Sequence, residues 1–312
     1  MKHIPMVGVT LSCALLVACS SEPAAVPEPP DLALQEVPEG IASVVVRHAD
    51  DEVTFDRVKA VRRIDEASGQ ERVKLVLTQE PVASEALTDP FESFNSIRWA
   101  AANPTAIRPL LILDVDPANP ERPLDCELYG PWAWLGGGRG SCSAFSSELN
   151  QLNLTETTLE VNVDLRDFFS GSIEEQAWQA TGSINTTVVK LDPLPVISGK
   201  EALDSPQLAR FRALKSALSD RSMAAIEPHV TAESFAELQD DAKVWGEAEL
   251  LGMLHEMVTE FVDLDPSTPG VDVRLHHAGK RSKLTMERKE DGSTSRQSMV
   301  FRWVEGKWLL DR

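Results

Sequence analysis

Four histidines in the C-terminal third, His229, His255, His276 and His277, are the side chains best suited to move a proton near neutral pH. His276 and His277 are neighbours in a stretch that alternates with period two. They therefore point to opposite faces and cannot easily share one metal. His277 falls on the apolar face with Val273 and Leu275, a placement that could set it in a cavity. His255 sits at the edge of the apolar face of the longest helical pattern, beside Glu256. A His255–His277 pair with a nearby carboxylate is the best general acid–base arrangement the chain offers. The competing reading is a half-buried structural histidine and an unrelated strand histidine, because no spacing links the two. Trp132 and Trp134 precede the run Gly136-Gly137-Gly138-Arg139-Gly140, which lacks the lysine and hydroxyl of a phosphate loop and reads as a hairpin tip. The two indoles either grip a ligand or partner, or cap a core. No Cys/His cluster has metal-ligand spacing, and neither a metal nor a cofactor is expected.

The N-terminus is an address. Lys2 and His3 precede a mostly apolar stretch, residues 4–17, too short to cross a bilayer comfortably and suited to a signal segment. It ends in Leu16-Val17-Ala18-Cys19-Ser20, which resembles the lipobox of bacterial lipoproteins. That resemblance implies a signal peptide over residues 1–18, removal of Cys13 with it, and acyl chains on Cys19 that hold the protein on a membrane. Serine after the cysteine implies sorting to the outer membrane, facing the periplasm. In an exported chain, the remaining cysteines, Cys126 and Cys142, are expected to form a disulfide. Their bridge would contribute about 3 kcal/mol on the chain-entropy model.

These groups need elements to position them. Residues 19–40 hold five prolines, five acids and no base, and no periodic stripe. They read as a disordered, extended tether with a reach of about 60 Å. Residues 41–197 alternate repeatedly. Leu159, Val161, Val163 and Leu165 share one face, and Val73, Leu75 and Leu77 another, with further strands near 53–61, 107–115 and 178–191. About eight strands in an all-β sandwich or open barrel are expected, with one helix over 92–103 carrying Phe94, Ile97 and Trp99. Residues 198–312 read as helices followed by strands. Ser205-Pro206 starts a helix, Thr231 caps a further one carrying Phe235 and Leu238, 247–262 forms the longest one, and a meander follows from Val271, with Met299, Phe301 and Trp303 marking its third strand.

The closing run Phe301-Arg302-Trp303-Val304-Glu305-Gly306-Lys307-Trp308-Leu309-Leu310 and the opening Phe211-x-x-Ala213-Leu214-x-x-Ala217-Leu218 resemble the nuclear transport factor 2-like superfamily. The resemblance covers residues 205–312. It implies an α+β cone, with helices packed on a curved antiparallel sheet around a cavity, and a choice between isomerase or dehydratase chemistry and non-catalytic binding. Isomerase members use a tyrosine, and the only tyrosine here is Tyr129, outside the cone. Two domains, 41–197 and 198–312, are therefore expected.

With 49 acids against 30 bases and a net charge of −19, the chain is a poor match for nucleic acid. Residues 227–272 carry 12 acids and one base, whereas 273–312 carry ten bases and five acids. The two halves either form solvated, mutually attracting faces or offer a basic sheet edge to an acidic partner or anionic lipid. The expected function is that of a lipid-anchored, non-catalytic envelope protein that binds an envelope protein or a small apolar ligand. The alternatives are an isomerase- or dehydratase-type enzyme acting in the cone, and a structural assembly factor.

Overall fold

Alternation of apolar and polar residues becomes strands with one closed face. Leu159, Val161, Val163 and Leu165 are buried, while Glu160 and Asn162 between them are exposed. The computed structural model describes residues 28–65, 68–91, 94–101, 108–130, 140–141, 147–168, 177–260, 268–290 and 293–311. Among them, nine strands form one sheet: β1 (Gly40–His48), β2 (Asp51–Ile64), β3 (Glu71–Thr78), β4 (Leu110–Val115), β5 (Pro123–Tyr129), β6 (Gly140–Ser141), β7 (Glu148–Leu154), β8 (Thr158–Phe168) and β9 (Ala177–Lys190). Their spatial order is β6-β5-β4-β3-β2-β1-β9-β8-β7.

The sheet curls into an antiparallel half-barrel. Of the two expected architectures it is the open barrel and not the sandwich, because a single continuous ladder carries every strand. β1 is a wedge within it. Beyond Gly40, the first residue of β1, β2 and β9 meet directly in parallel, Ala60 opposite Val188 and Arg62 opposite Lys190. Inside the curl, Phe55, Leu75, Leu113, Leu128 and Trp178 form a dry core. Gly182 faces Val44 across β1 and β9 with φ +152. A Cβ there would lie 1.8 Å from the Ser43 carbonyl oxygen, so only glycine fits.

The outer face of β2–β4 is closed as well. Val61, Val76, Leu110 and Ile112 pack beneath two short helices, α1 (Glu85–Thr88) and α2 (Asn95–Ala101), together with Phe94. A single helix over 92–103 was expected. α2 corresponds to it, and α1 is additional.

The eighth residue to join this outer cluster is Val37, from the segment expected to be a disordered tether. That expectation is corrected over residues 28–39, which run across the molecule as a strap. Val37 is fully buried. Its N–H donates to Ser84 Oγ at 2.9 Å, Lys59 Nζ donates to the same oxygen at 3.0 Å, and Ser84 O–H donates to Glu36 Oε1 at 2.7 Å. Arg57 pairs with Glu39. At its other end the strap meets the second sheet. Lys280 bridges Glu28 at 2.8 Å and Asp31 at 3.2 Å, and the backbone of 30–32 passes so close to Gly279 (φ +58) that a Cβ would meet Pro30 O at 2.4 Å. The partners lie 18 to 252 positions away in sequence, so composition and periodicity within 19–40 carry no sign of them.

The second sheet has order β10-β11-β12-β13-β14, with β10 (Val196–Ser198), β11 (Val271–Ala278), β12 (Arg281–Glu290), β13 (Ser293–Val304) and β14 (Lys307–Asp311). β10, which begins at Val196, pairs with β11 through Val196, Ile197 and Ser198. Among the described residues, five α-helices lie between β10 and β11: α3 (Gly199–Leu203), α4 (Pro206–Ser219), α5 (Met223–Ile226), α6 (Ala232–Trp245) and α7 (Glu247–Glu260). The expected caps are present: Ser205 Oγ accepts from Leu208 N–H and Thr231 Oγ1 from Ser234 N–H, both at 3.2 Å. Leu208 and Phe211 of α4 lie on Leu284, Met286, Phe301, Trp303 and Trp308. A second cluster joins Leu214, Leu218, Ile226, Leu238, Leu250 and Leu251. The two units also touch through Arg281, which pairs with Asp89 and covers the Phe91 ring at 5.2 Å.

Candidate functional site

α4 starts where Ser205 caps it and Pro206 fixes its first turn, and this places Gln207 and Leu208 over β12. The interior between α4 and the sheet is filled by Met286, Phe301, Trp303 and Trp308, all buried. The space that remains is an open cleft of about 600 Å³ at one end of the sheet. Ile197, Leu275 and Trp308 supply its apolar wall; His277, Glu201 and Gln207 supply its polar groups. Lys200 and Asp204 pair with each other at the rim.

His277 is half-buried and lines this cleft, on the face shared with Val273 and Leu275 as the alternation required. Its ring meets the Trp308 indole edge-on at a centroid distance of 6.1 Å, and Trp308 meets Trp303 in the same manner at 5.4 Å. Burial pushes the His277 imidazole below its usual pKa, and the Glu201 carboxylate opposes that in part. Beneath the cleft, Gln207 Nε2 donates to Ser282 Oγ at 3.0 Å, both groups being buried. Gln207 Oε1 has no hydrogen-bond partner among the described residues.

The other expected site residues lie elsewhere. His255 is on α7, which packs on α4 and α6, and it does not line the cleft; the acid–base pair His255–His277 is not assembled there. His276 faces the opposite side of β11 from His277. His229 sits in the short 3₁₀ turn after α5, with Arg210 Nη1 at 3.2 Å from its Nδ1. Burial, then the charges of Arg210 and Lys307, lower its pKa. Cys126 is buried in β5 and disulfide-bonded. Its expected partner Cys142 lies outside the described residues, as do Cys19, Trp132 and Trp134. Glu201 and Gln207 escaped the sequence reading. The only signal for Gln207 was a polar residue one position into a well-capped helix whose next residue, Leu208, is core.

Among the described residues no group of three His, Cys, Asp or Glu side chains could hold a metal ion. No described helix is long and apolar enough to cross a membrane. A smaller cavity of about 300 Å³ lies between α1–α2 and the β3–β4 edge, lined by Thr78, Val82, Ala86, Ile97 and Arg108 among others. Comparison with family models, with curated proteins and with solved structures finds no match to this chain.

Proposed function

We propose that this chain is a lipid-anchored protein of the cell envelope that binds a small, largely apolar ligand in the cleft at His277 and Trp308 and does no chemistry on it. The observation that carries the binding reading is the cleft itself: an indole and two aliphatic side chains form one wall. Beside them stands an imidazole that makes no hydrogen bond among the described residues. Such a site gives an apolar ligand area and one orienting polar contact. The anchor reading rests on Leu16-Val17-Ala18-Cys19, and outer-membrane sorting on Ser20. On this reading the five-stranded sheet and its helices are a cone of the nuclear transport factor 2-like kind, with its interior filled and only its mouth open.

The test uses the chain from residue 20 onward, which keeps the strap, titrated with the neutral dye Nile red. Saturable dye fluorescence is expected, lost in Trp308→Ala and kept in Trp245→Ala, an exposed indole on α6. Equal binding by both variants would remove the cleft from the reading. For the anchor, Cys19→Ser should move the protein from the membrane fraction to the soluble one. The enzyme alternative now has to use His277 with Glu201, since His255 stands apart. Turnover of a hydroxy- or keto-bearing ring compound, abolished in His277→Gln with dye binding intact, would establish it in place of the binding reading.

A further inference from the structure

The docked strap changes where the molecule stands relative to its anchor. We infer that the anchored protein lies close against the leaflet with the end of the second sheet that carries the β11–β12 turn nearest the lipid, and does not roam on a long tether. This rests on the reading of Cys19 as the lipidated residue. If the whole of 19–40 were free, Cys19 could lie roughly 65 Å from Gly40 at ~3.1 Å per residue. The strap instead is fastened from Glu28 onward, at Lys280, at the Gly279 backbone and at the Ser84–Val37 pocket. Nine peptide steps then separate Cys19 from the first fastening, a reach of roughly 28 Å in the same extended conformation.

The exit point sits beside Lys280, whose carbonyl accepts from Trp303 N–H at 2.7 Å. The β11–β12 turn (279–280) and the β13–β14 turn (305–306) therefore share one end of the sheet. That end is the surface brought to the lipid. Two of its cations are already engaged, Lys280 by Glu28 and Asp31, and Arg281 by Asp89; Lys307, exposed at the start of β14, is in no ion pair among the described residues. The leash sets the standoff, and added salt should leave the ordering of the two positions in place even though it screens Lys307.

The experiment starts from the chain beginning at Cys19, with Cys126 tied in its disulfide. The Cys19 thiol is coupled to a maleimide lipid in phosphatidylethanolamine–phosphatidylglycerol vesicles that carry a headgroup acceptor dye. A donor dye is placed on a non-natural ketone residue at either Lys307 or Ser295. Both positions are exposed, and they lie roughly 30 Å apart along β13 at ~3.3 Å per residue. Energy transfer should be greater from 307 than from 295. Inserting twenty Gly/Ser residues between positions 27 and 28, which leaves the strap and the fold untouched, should lower transfer at both sites and abolish the difference. Val37→Asp with Gly279→Val should do the same by releasing the strap. Equal transfer from 307 and 295 in the unmodified chain overturns the inference, as does a difference that survives the insertion. The native protein, extracted from membranes, is weighed alongside. An intact mass without acyl chains overturns the anchor reading and this inference with it; equal transfer with acyl chains present overturns the inference alone.

Discussion

The two sheets of this protein are closed to different degrees. Along β2–β4 the first sheet is covered on both faces, by its own curl on one side and by α1, α2 and Val37 on the other. The second sheet packs one face on helices and leaves a cleft where α3 meets β11 and β14. A sheet buried on both faces has little freedom to move or to admit a ligand, whereas an incompletely covered end exposes side chains that already have well-defined positions. The first sheet is accordingly the more completely closed of the two, and the second carries the open cleft. The strap joins them.

The sharpest way to break that division is at Gly182. Alanine there must clash with the Ser43 carbonyl, which is part of the ladder and cannot withdraw. A loss of about 4 kcal/mol or more is expected, the size of a clash the backbone cannot relieve. The two sheets share no core cluster. The Trp303–Trp308 signal in near-UV circular dichroism should therefore survive while much of the far-UV strand signal is lost. Simultaneous loss of both would show that the two sheets fold as one. The converse substitution, Phe301→Ala, empties the centre of the second core and should cost about 3–5 kcal/mol. It should lower the tryptophan-reported melting point and leave the first sheet in place.

Ser84→Ala tests the connection between them. It strands the ammonium of Lys59 and the N–H of Val37 in a buried position and releases Glu36. About 1–3 kcal/mol is expected in urea denaturation, with faster proteolysis within 28–39 as the strap lifts. Adding Lys59→Met should recover part of the loss, because the stranded charge is then gone. A Ser84→Ala protein as stable as its parent would show that the strap is not held at this point.

Much of this was legible from residues alone, and the limits are physical. Period-two alternation located β3, β8, β11 and β13, and Ser205-Pro206 and Thr231 located the starts of α4 and α6, because both signals are local. His277 was placed correctly on an inward-facing position for the same reason. What could not be read depends on distant partners. Val37 looks like one apolar residue in a proline-rich tether until Ser84, Leu87 and Phe94 are folded over it. Val44, Val45 and Val46 form an unbroken apolar run in sequence, yet β1 alternates in burial: Val44 and Val46 are buried and Val45 only partly. The candidate His255–His277 pair is not brought together at the cleft, because helical periodicity gives the face of a helix but not the neighbour it packs on. α7 turned that face to α4 and α6.

The smallest effect separates the two units by pH. The described groups with a histidine pKa displaced from its usual value of 6.5 are His277 and His229, both in the second unit and both lowered chiefly by burial. A lowered histidine is neutral in the folded protein at pH values where the unfolded chain has already taken up a proton. The unfolded state binds more protons in that interval, so stability rises with pH through it. The contribution is complete above 6.5 and is lost as pH falls from 6.5 toward the folded value; below that value both states are charged and no further loss follows. Glu201 works against the shift at His277, whereas Arg210 and Lys307 reinforce it at His229. Urea midpoints read from tryptophan fluorescence at pH 7.5 and pH 5 should therefore fall with acid. The fall should shrink in His277→Gln and shrink further when His229→Gln is added. A fall of unchanged size in the double variant would place the acid sensitivity on carboxylates instead, and the pH contrast between the two sheets would disappear with it.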